Sequence, residues 1–531
     1  MLALVIWGSV TLPLMAEQCM DLKKRQIAAG EIGLASRGAI ITSAKLVKAH
    51  GGSFCKILGE VRSVDPAANP IRFEVNLPEK WNRKAVQFGE GVFDGYLRQS
   101  DGLRATVVAD KRQATPLERE YATFGSDSGH HHGYLFLPDI LNALGARFGL
   151  NDEERKNFAS DGLKKTHDVA VVLMRARYGT GPARMYFIGG STGGREAMKV
   201  VNRWPEDYDG VLAAYSAWNQ IESDLQFIRV SQAMYGKGPD GQSGWLPGAK
   251  TKLLFQASMS ACDAQDGLKD GMISNPSSCD FDAANLRCSD GKDHKGCFSD
   301  GQERTIAAFA SDQISDFMVM NGIRREPGYN VLKGAELTGS MGLLSHAFHP
   351  PVPLLNSLYY IVGDGVLRFF LTKDVHFNAL TFDTKAGGKW VAALLQQSAE
   401  DDASLADLSP FERRGGKLLL VHGTADSTIP TGASVFLYQR IVEAMGQART
   451  DGFARLYLIP GYAHGHGVFD AGFDTVGTLD AWADKNIAPA GLVVSDNNKG
   501  AARTRPMCAW PAWPKYMGGE VNAAASFRCV E

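Results

Sequence analysis

Short apolar runs alternate with helical patterns over the first 220 residues. Lys84 to Phe88 predicts a strand that runs into the glycine-rich Gly89-Glu90-Gly91-Val92-Phe93-Asp94-Gly95. Asp161 to Tyr178 places Val169, Val172 and Met174 at helical spacing. Met185 to Ile188 reads as a short buried strand, and Arg195 to Trp204 as a helix stopped by Pro205. Strand, turn and helix in that order predict an α/β sheet. From Gln220 to Leu405 this alternation lapses. That stretch holds four of the eight cysteines, a concentration of Asp and Gly, and the aromatic-rich Leu358 to Phe370, and it reads as an inserted domain (220–405). The alternation resumes at Gly416 with strand Lys417 to His422, helix Ala433 to Met445, strand Arg455 to Pro460 and helix Thr475 to Lys485. The core domain is therefore expected to be discontinuous, over 17–219 and 406–531.

Composition narrows the class. The 531 residues are 44% apolar and 21% charged, which excludes disordered, collagen-like and coiled-coil chains. Lys and Arg number 56 against 58 Asp and Glu, a net charge of −2, so no global charge favours nucleic acid or an anionic membrane. Leu2 to Ala16 is apolar apart from Gly8, Ser9, Thr11 and Pro13, and residues 1–16 read as a signal peptide, although a basic start is missing. The competing reading is a buried N-terminal strand. No other segment reaches 18 uninterrupted apolar residues, so the mature chain is expected to be soluble, and secreted or periplasmic. Cys19, Cys55, Cys262, Cys279, Cys288, Cys297, Cys508 and Cys529 are even in number, fall into four short-range couples and form no Cys-x-x-Cys. Disulfides in an oxidising compartment suit them better than zinc.

Gly189-Gly190-Ser191-Thr192-Gly193 matches Gly-x-Ser-x-Gly between a strand and a helix. Glycines permit the sharp turn that exposes the Ser191 hydroxyl, and the Thr192 N–H then faces a developing oxyanion. A serine needs a base, and the base an orienting carboxylate. Asp426 follows the strand ending Val421-His422, and His464 follows the strand ending at Pro460, so both leave strand ends where they can converge on Ser191. His466 competes with His464. A second oxyanion donor is expected from the loop Gly89 to Gly95, with Gly91 favoured and Gly89 next. No Lys-Ser or Lys-Thr follows this loop, which argues against a phosphate loop. Asp263, Asp266 and Asp270 lie on a glycine-bent loop. Their carboxylates, with the carbonyls of Leu268 and Met272, suit Ca²⁺, although the spacing is not that of an EF-hand and a solvated acidic turn competes. His130-His131-His132 is a poor metal site because adjacent side chains diverge.

Together these residues resemble the tannase and feruloyl esterase family, from about Cys19 to Cys529. The specific stretches are Gly190-Ser191-Thr192-Gly193-Gly194-Arg195-Glu196-Ala197, Trp204-Pro205-Glu206-Asp207-Tyr208-Asp209-Gly210, the Asp/Gly loop after Cys262, Ile459-Pro460-Gly461 leading to His464, and Tyr121 to His130. The resemblance implies an α/β-hydrolase core with an inserted lid domain, secretion, and structural Ca²⁺ in the lid. It also implies the disulfides Cys19–Cys55, Cys262–Cys279, Cys288–Cys297 and Cys508–Cys529. There is one departure. The family usually carries a cysteine directly before the nucleophile and another directly after the catalytic histidine, joined to each other. Gly190 and Gly465 stand there in this chain.

The expected function is a secreted serine carboxylesterase that hydrolyses small esters of aromatic (hydroxycinnamic, gallic or related) acids through an acyl-enzyme. Phe369 and Phe370 are candidates for the acyl pocket, or else lid core. A tannase-type depsidase or acyltransferase on the same scaffold is the enzymatic alternative, and a non-catalytic secreted binding protein the other. The oligomeric state stays open.

Overall fold

The computed structural model describes residues 17–49, 51–97, 100–101, 107–131, 144–238 and 241–531. The leader read at 1–16 and the third histidine, His132, lie outside the described residues.

Twelve strands frame the site: β1 (Gln26–Ile27), β2 (Ala39–Ala49), β3 (Gly52–Val61), β4 (Ile71–Pro78), β5 (Lys84–Phe88), β6 (Ala122–Ser126), β7 (Arg184–Gly190), β8 (Gly210–Ala214), β9 (Gln313–Val319), β10 (Ile323–Glu326), β11 (Lys417–Gly423) and β12 (Ala454–Ile459). All but β9 and β10 form one sheet, in the order β1-β2-β3-β4-β6-β5-β7-β8-β11-β12. Pairing is antiparallel from β1 to β6 and parallel from β6 to β12. Five helices matter for the site: α1 (Gly162–Tyr178), α2 (Thr192–Arg203), α3 (Gln220–Tyr235), α4 (Thr431–Met445) and α5 (Thr475–Lys485).

The apolar runs become parallel strands because both faces are covered. Met185 and Phe187 of β7, Val211 and Ala213 of β8, and Leu418 and Leu420 of β11 share a core with Leu173 of α1, Val200 of α2 and Leu437 of α4. The alternate residues Tyr186, Ile188, Leu212, Ala214, Leu419 and Val421 share another with Leu479 and Trp482 of α5. Each fully buried Leu or Ile of this kind contributes roughly 1.5–3 kcal/mol. This two-sided burial makes the middle of the sheet rigid, and the candidate residues leave its C-terminal edge.

Two differences from the expected elements have local causes. The helix after Ser191 begins at Thr192, not at Arg195. Its first turn holds Gly193 and Gly194, which backbone neighbours press closely: a Cβ on Gly194 would lie 2.6 Å from the Ala214 carbonyl. The long hairpin β2–β3 has no counterpart among the expected elements. A bulge between Ile41 and Ser43 breaks the period-two pattern that would reveal it.

Between β8 and β11 the chain adds no strand to the main sheet among the described residues. It builds α3, the helices Gly248–Cys262, Asp300–Ala310, Leu358–Gly365 and Val391–Asp401, and the antiparallel ribbon β9–β10. Phe227, Met234, Phe309, Tyr359 and Phe370 form its core, which takes in Phe93, Phe148 and Phe158 from the first part of the chain. Phe370 is thus core, whereas Phe369 is half-buried and lines a cavity of about 430 Å³ with Pro350 to Pro353. All four expected disulfides are present: Cys19–Cys55, Cys262–Cys279, Cys288–Cys297 and Cys508–Cys529. No helix among the described residues is long and apolar enough to cross a membrane.

Candidate active site

Ser191 occupies the turn between β7 and α2 with φ 62° and ψ −123°. A residue with a side chain holds such a conformation only when its surroundings dictate it. Here they do. The Ser191 N–H donates to Ala214 O (3.0 Å), and Ser191 O accepts from Arg195 and Ala217 N–H (3.0 and 3.2 Å). A Cβ on Gly189 would lie 2.1 Å from Gly193 O, so only glycine fits before the turn.

The glycine loop after β5 lies against this turn. Gly193 N–H donates to Glu90 O (3.1 Å), and Thr192 Oγ1 donates to Val92 O (2.7 Å). Glu196 Oε2 accepts the Glu90 N–H at 2.9 Å. Gly89 N–H is already donated to Ile188 O (3.0 Å), which removes Gly89 as the alternative oxyanion donor. Among the described residues, neither Thr192 N–H nor Gly91 N–H donates to a protein acceptor. Both belong to the segments that meet at Ser191, and Thr192 opens α2, whose N-terminal amides favour negative charge.

Asp426 is fully buried on the turn after β11. Its Oδ1 accepts from Thr428 N–H (2.7 Å) and Ile429 N–H (3.0 Å), and its Oδ2 meets His464 Nδ1 at 2.9 Å. His422 Nε2 lies 3.3 Å from the same oxygen. Burial alone would raise this carboxyl, but the imidazoles of His464 and His422 outweigh it and hold the acid well below the usual carboxylate range. With Nδ1 committed to Asp426, the remaining nitrogen of His464 is left for a substrate-side proton. His466 is exposed and is held through its carbonyl, which accepts from Ala463 N–H, so His464 is the one that pairs with the carboxylate. Among the described residues no hydrogen bond joins Ser191 Oγ to His464. Such contacts often tighten only when substrate binds. Beside His464 a cavity of about 390 Å³ opens, walled by Thr424, Ala463, His466, Lys333 and Met272.

The acidic loop after Cys262 shares that wall. Asp263 Oδ1 accepts from Gly271 and Met272 N–H (3.2 and 3.1 Å), and Asp266 Oδ1 from Leu268 N–H (3.0 Å). Asp270 Oδ2 takes Arg505 Nη2 at 2.6 Å, while its buried Oδ1 has no partner among the described residues. Burial, and then the neighbouring acids, lift Asp266; burial and Asp263 lift Asp270 against the pull of Arg505. Among the described residues no three His, Cys, Asp or Glu converge into a ready-made metal cage. An orphaned buried oxygen and mutually repelling carboxyls are nonetheless what a hard cation relieves. His130 stacks on Phe148 with centroids 3.6 Å apart, and His131 turns to Asp127 at 3.1 Å.

Several residues at the site carry no signal in the sequence. His422 reads only as strand, and Tyr215 does not stand out at all. Asp94 is buried beside Glu90 and Glu196; burial, then those two charges, push its carboxyl well above its ordinary value. Arg195 and Glu196 stand in a stretch that carries the resemblance, but the sequence alone assigns them no role. Arg195 donates to the carbonyls of Phe158, Ala159 and Asp401, tying α2 to the helix Val391–Asp401, while Glu196 ties it to the glycine loop.

A mixed sheet with a parallel half, a serine on a strained strand-to-helix turn and an acid–histidine pair beyond the ends of β11 and β12 define an α/β-hydrolase-like protein. Feruloyl esterase B from Aspergillus oryzae shares the fold, with a TM-score of 0.75 at 22% identity over 94% of this chain and 98% of that one. The chain belongs to the tannase and feruloyl esterase family, whose model matches residues 55–530. It is 34% identical to an uncharacterized esterase of Agrobacterium fabrum, over 97% of this chain and 93% of the relative. It is 28% identical to mono(2-hydroxyethyl) terephthalate hydrolase of Piscinibacter sakaiensis, over 90% and 84% respectively. The family and these relatives support carboxylic ester hydrolysis as the class of reaction.

Proposed function

We propose that the chain is a secreted serine carboxylesterase acting on small esters of aromatic acids. The observation that carries this is the buried Asp426 paired with His464 at 2.9 Å, on strand ends two and three places along the sheet from the strand that leads to a serine held in a strained turn. In this reading His464 takes the Ser191 proton as the hydroxyl attacks the ester carbonyl. Thr192 and Gly91 N–H hold the oxyanion. His464 then protonates the departing alcohol, and Asp426 stabilises the imidazolium. Water, activated by the same histidine, releases the acid. Residues 220–405 act as the lid over a core made of 17–219 and 406–531, and the cavity beside His464 receives part of the substrate. Four disulfides support passage through an oxidising compartment.

Ca²⁺, when bound, would supply a charge that braces the acidic loop. Asp263, Asp266 and Asp270 would hold it, with the carbonyls of Leu268 and Met272. Its role is structural, because these residues stand on a loop wall and not around Ser191.

The test is Ser191→Ala. Removing one triad member costs on the order of 10⁴ to 10⁶ in turnover. Hydrolysis of methyl ferulate, methyl gallate, p-nitrophenyl esters and a terephthalate monoester should vanish together, as should fluorophosphonate labelling, with the melting temperature unchanged. A variant that keeps more than a few per cent of activity would remove Ser191 as nucleophile, and a wild type inert on all four esters would reject the aromatic-ester reading.

A further inference from the structure

We infer that Tyr215 is a positioning residue for His464, its ring packed against the imidazole between Gly190 and Gly465. This rests on the serine-esterase reading above. Tyr215 directly follows β8, is buried, and has φ 34°. That backbone is costly for an aromatic residue. It is held from both sides: Ala214 O accepts the Ser191 N–H at 3.0 Å, and the Tyr215 N–H donates to Val421 O at 2.7 Å. The turn that aims the ring is therefore built from the strands that carry Ser191 and Asp426.

The ring then meets the site. Its centroid lies 4.6 Å from that of His464, with the planes at 53°, and 6.1 Å from that of Tyr462. A Cβ built on Gly190 would lie 2.6 and 2.8 Å from ring carbons Cε2 and Cζ, and 2.8 Å from the phenol oxygen. A Cβ on Gly465 would meet that same oxygen at 3.5 Å. One oxygen atom thus borders both points from which two bridging side chains would project. Those points therefore lie no more than about 6.3 Å apart, a bound that includes the Cβ–Cβ span of about 3.5–4.5 Å that a disulfide needs. At Gly190 any side chain would strike the ring. The ring fills the space beside Gly190, so packing supports the imidazole with no covalent link between its loop and the nucleophile's. Asp426 fixes one nitrogen of His464, and Tyr215 packs against the imidazole, so the ring is held from two sides.

The experiment uses the full chain, with Tyr215→Ala, Tyr215→Phe, and Tyr215→Ala combined with Gly190→Cys and Gly465→Cys. A displacement of about 1 Å costs on the order of 10² in rate, so Tyr215→Ala should lose about that much in kcat with KM nearly unchanged. Tyr215→Phe keeps the ring and should stay within a few-fold of wild type. The triple variant, oxidised, should recover most of the loss and forfeit it under mild reduction that leaves wild type active. A side chain that only fills core volume would not be rescued by a bridge. Tyr215→Ala within twofold of wild type overturns the inference. So does a folded triple variant that forms no bridge, or one whose bridge, verified by mass, does not raise kcat. If Tyr215→Ala does not fold, the oxidised and reduced triple variant decide alone, and activity indifferent to the bridge overturns it. Ser191→Ala runs alongside: a wild type that hydrolyses no ester and takes no label at Ser191 sinks the esterase reading instead.

Discussion

The disulfide-bearing periphery and the centre of the sheet hold their loops by different means. Each disulfide joins residues close in sequence, 36, 17, 9 and 21 positions apart. Cys19–Cys55 is part of the main core, but Cys262–Cys279 sits where little apolar surface is available. Around Cys262 and Cys279 the local core adds only Ile273, with Met259 and Phe281 packed against it. So small a cluster cannot offset the entropy of an ordered loop, and a covalent link reduces that entropy in the unfolded chain. Ser191 lies far in sequence from Asp426 and His464, and no such link joins it to them. Strand register aligns them: Gly190 faces Ala214, Ala214 faces Val421, and Gly423 faces Ile459. Long-range geometry comes from the buried parallel sheet, and short-range order at the rim from sulfur.

Breaking the centre should cost activity before it costs the fold. Asp426→Asn keeps the size of the side chain, and its amide oxygen can still accept from Thr428 and Ile429, but it cannot hold His464 in the required tautomer. A fall in kcat of about 10⁴ is expected. The acid's depressed folded value also sets a pH window. The stability that it contributes is present above the unfolded aspartate value of about 3.9 and is lost as pH falls below it towards the folded value. Calorimetry of wild type and variant should therefore show a gap in melting temperature at pH 6 that closes below pH 4. A gap that persists in acid would mean Asp426 contributes by packing alone.

The same contrast explains which parts of the molecule are legible in its sequence. Met185 to Ile188 and Lys417 to His422 announce themselves because parallel strands buried on both faces are continuously apolar. The turn chemistry around Ser191 is local, and so is the placement of Asp426 and His464 at strand ends. The disulfide pairs rest on resemblance, since spacing alone leaves connectivity open. Tyr215 is illegible because its role depends on Gly190 and Gly465 approaching each other through three strands. Nothing in Ala214-Tyr215-Ser216 marks a ring that packs against His464. The buried acids Glu90, Asp94 and Glu196 are hidden for the same reason: charged residues read as surface until the fold surrounds them.

At the rim, chelation should separate bracing from chemistry. Met272 packs where a Cβ on Gly461 would lie 2.5 Å from its Cγ, so the acidic loop touches the segment that leads to His464. Occupancy at about 100 times the dissociation constant stabilises by roughly 2.7 kcal/mol. Verified removal of Ca²⁺ should lower the melting temperature while kcat, measured below the new transition, changes little. An unchanged melting temperature would argue against a bound ion, and loss of kcat without loss of stability would place the ion in the chemistry.

The smallest effect lies between these regions, where the segment between β8 and β11 meets the sheet without sulfur. Glu326, on β10, is fully buried; it accepts from Asn219 Nδ2 at 2.7 Å and Ser223 Oγ at 3.1 Å. Burial pushes it up to about 8 against those hydrogen bonds, and the negative charges of Glu222 and Asp402 add to the rise. Those two neighbours are themselves pushed up to about 7, again chiefly by burial. A folded value above the unfolded one of about 4.3 means that the native protein keeps a proton the unfolded chain has lost. Stability then falls as pH rises through that window, up to about 8 for Glu326. Glu326→Gln removes the ionisation and keeps an acceptor, at the expense of one of the two hydrogen bonds. Its melting temperature should be equal to or slightly below wild type at pH 5 and a few degrees above it at pH 8, with kcat unchanged. An offset that is the same at both pH values would show that Glu326 is ionised in the native protein. The junction would then be held by buried charge, and not by neutral acids that tie it to the pH.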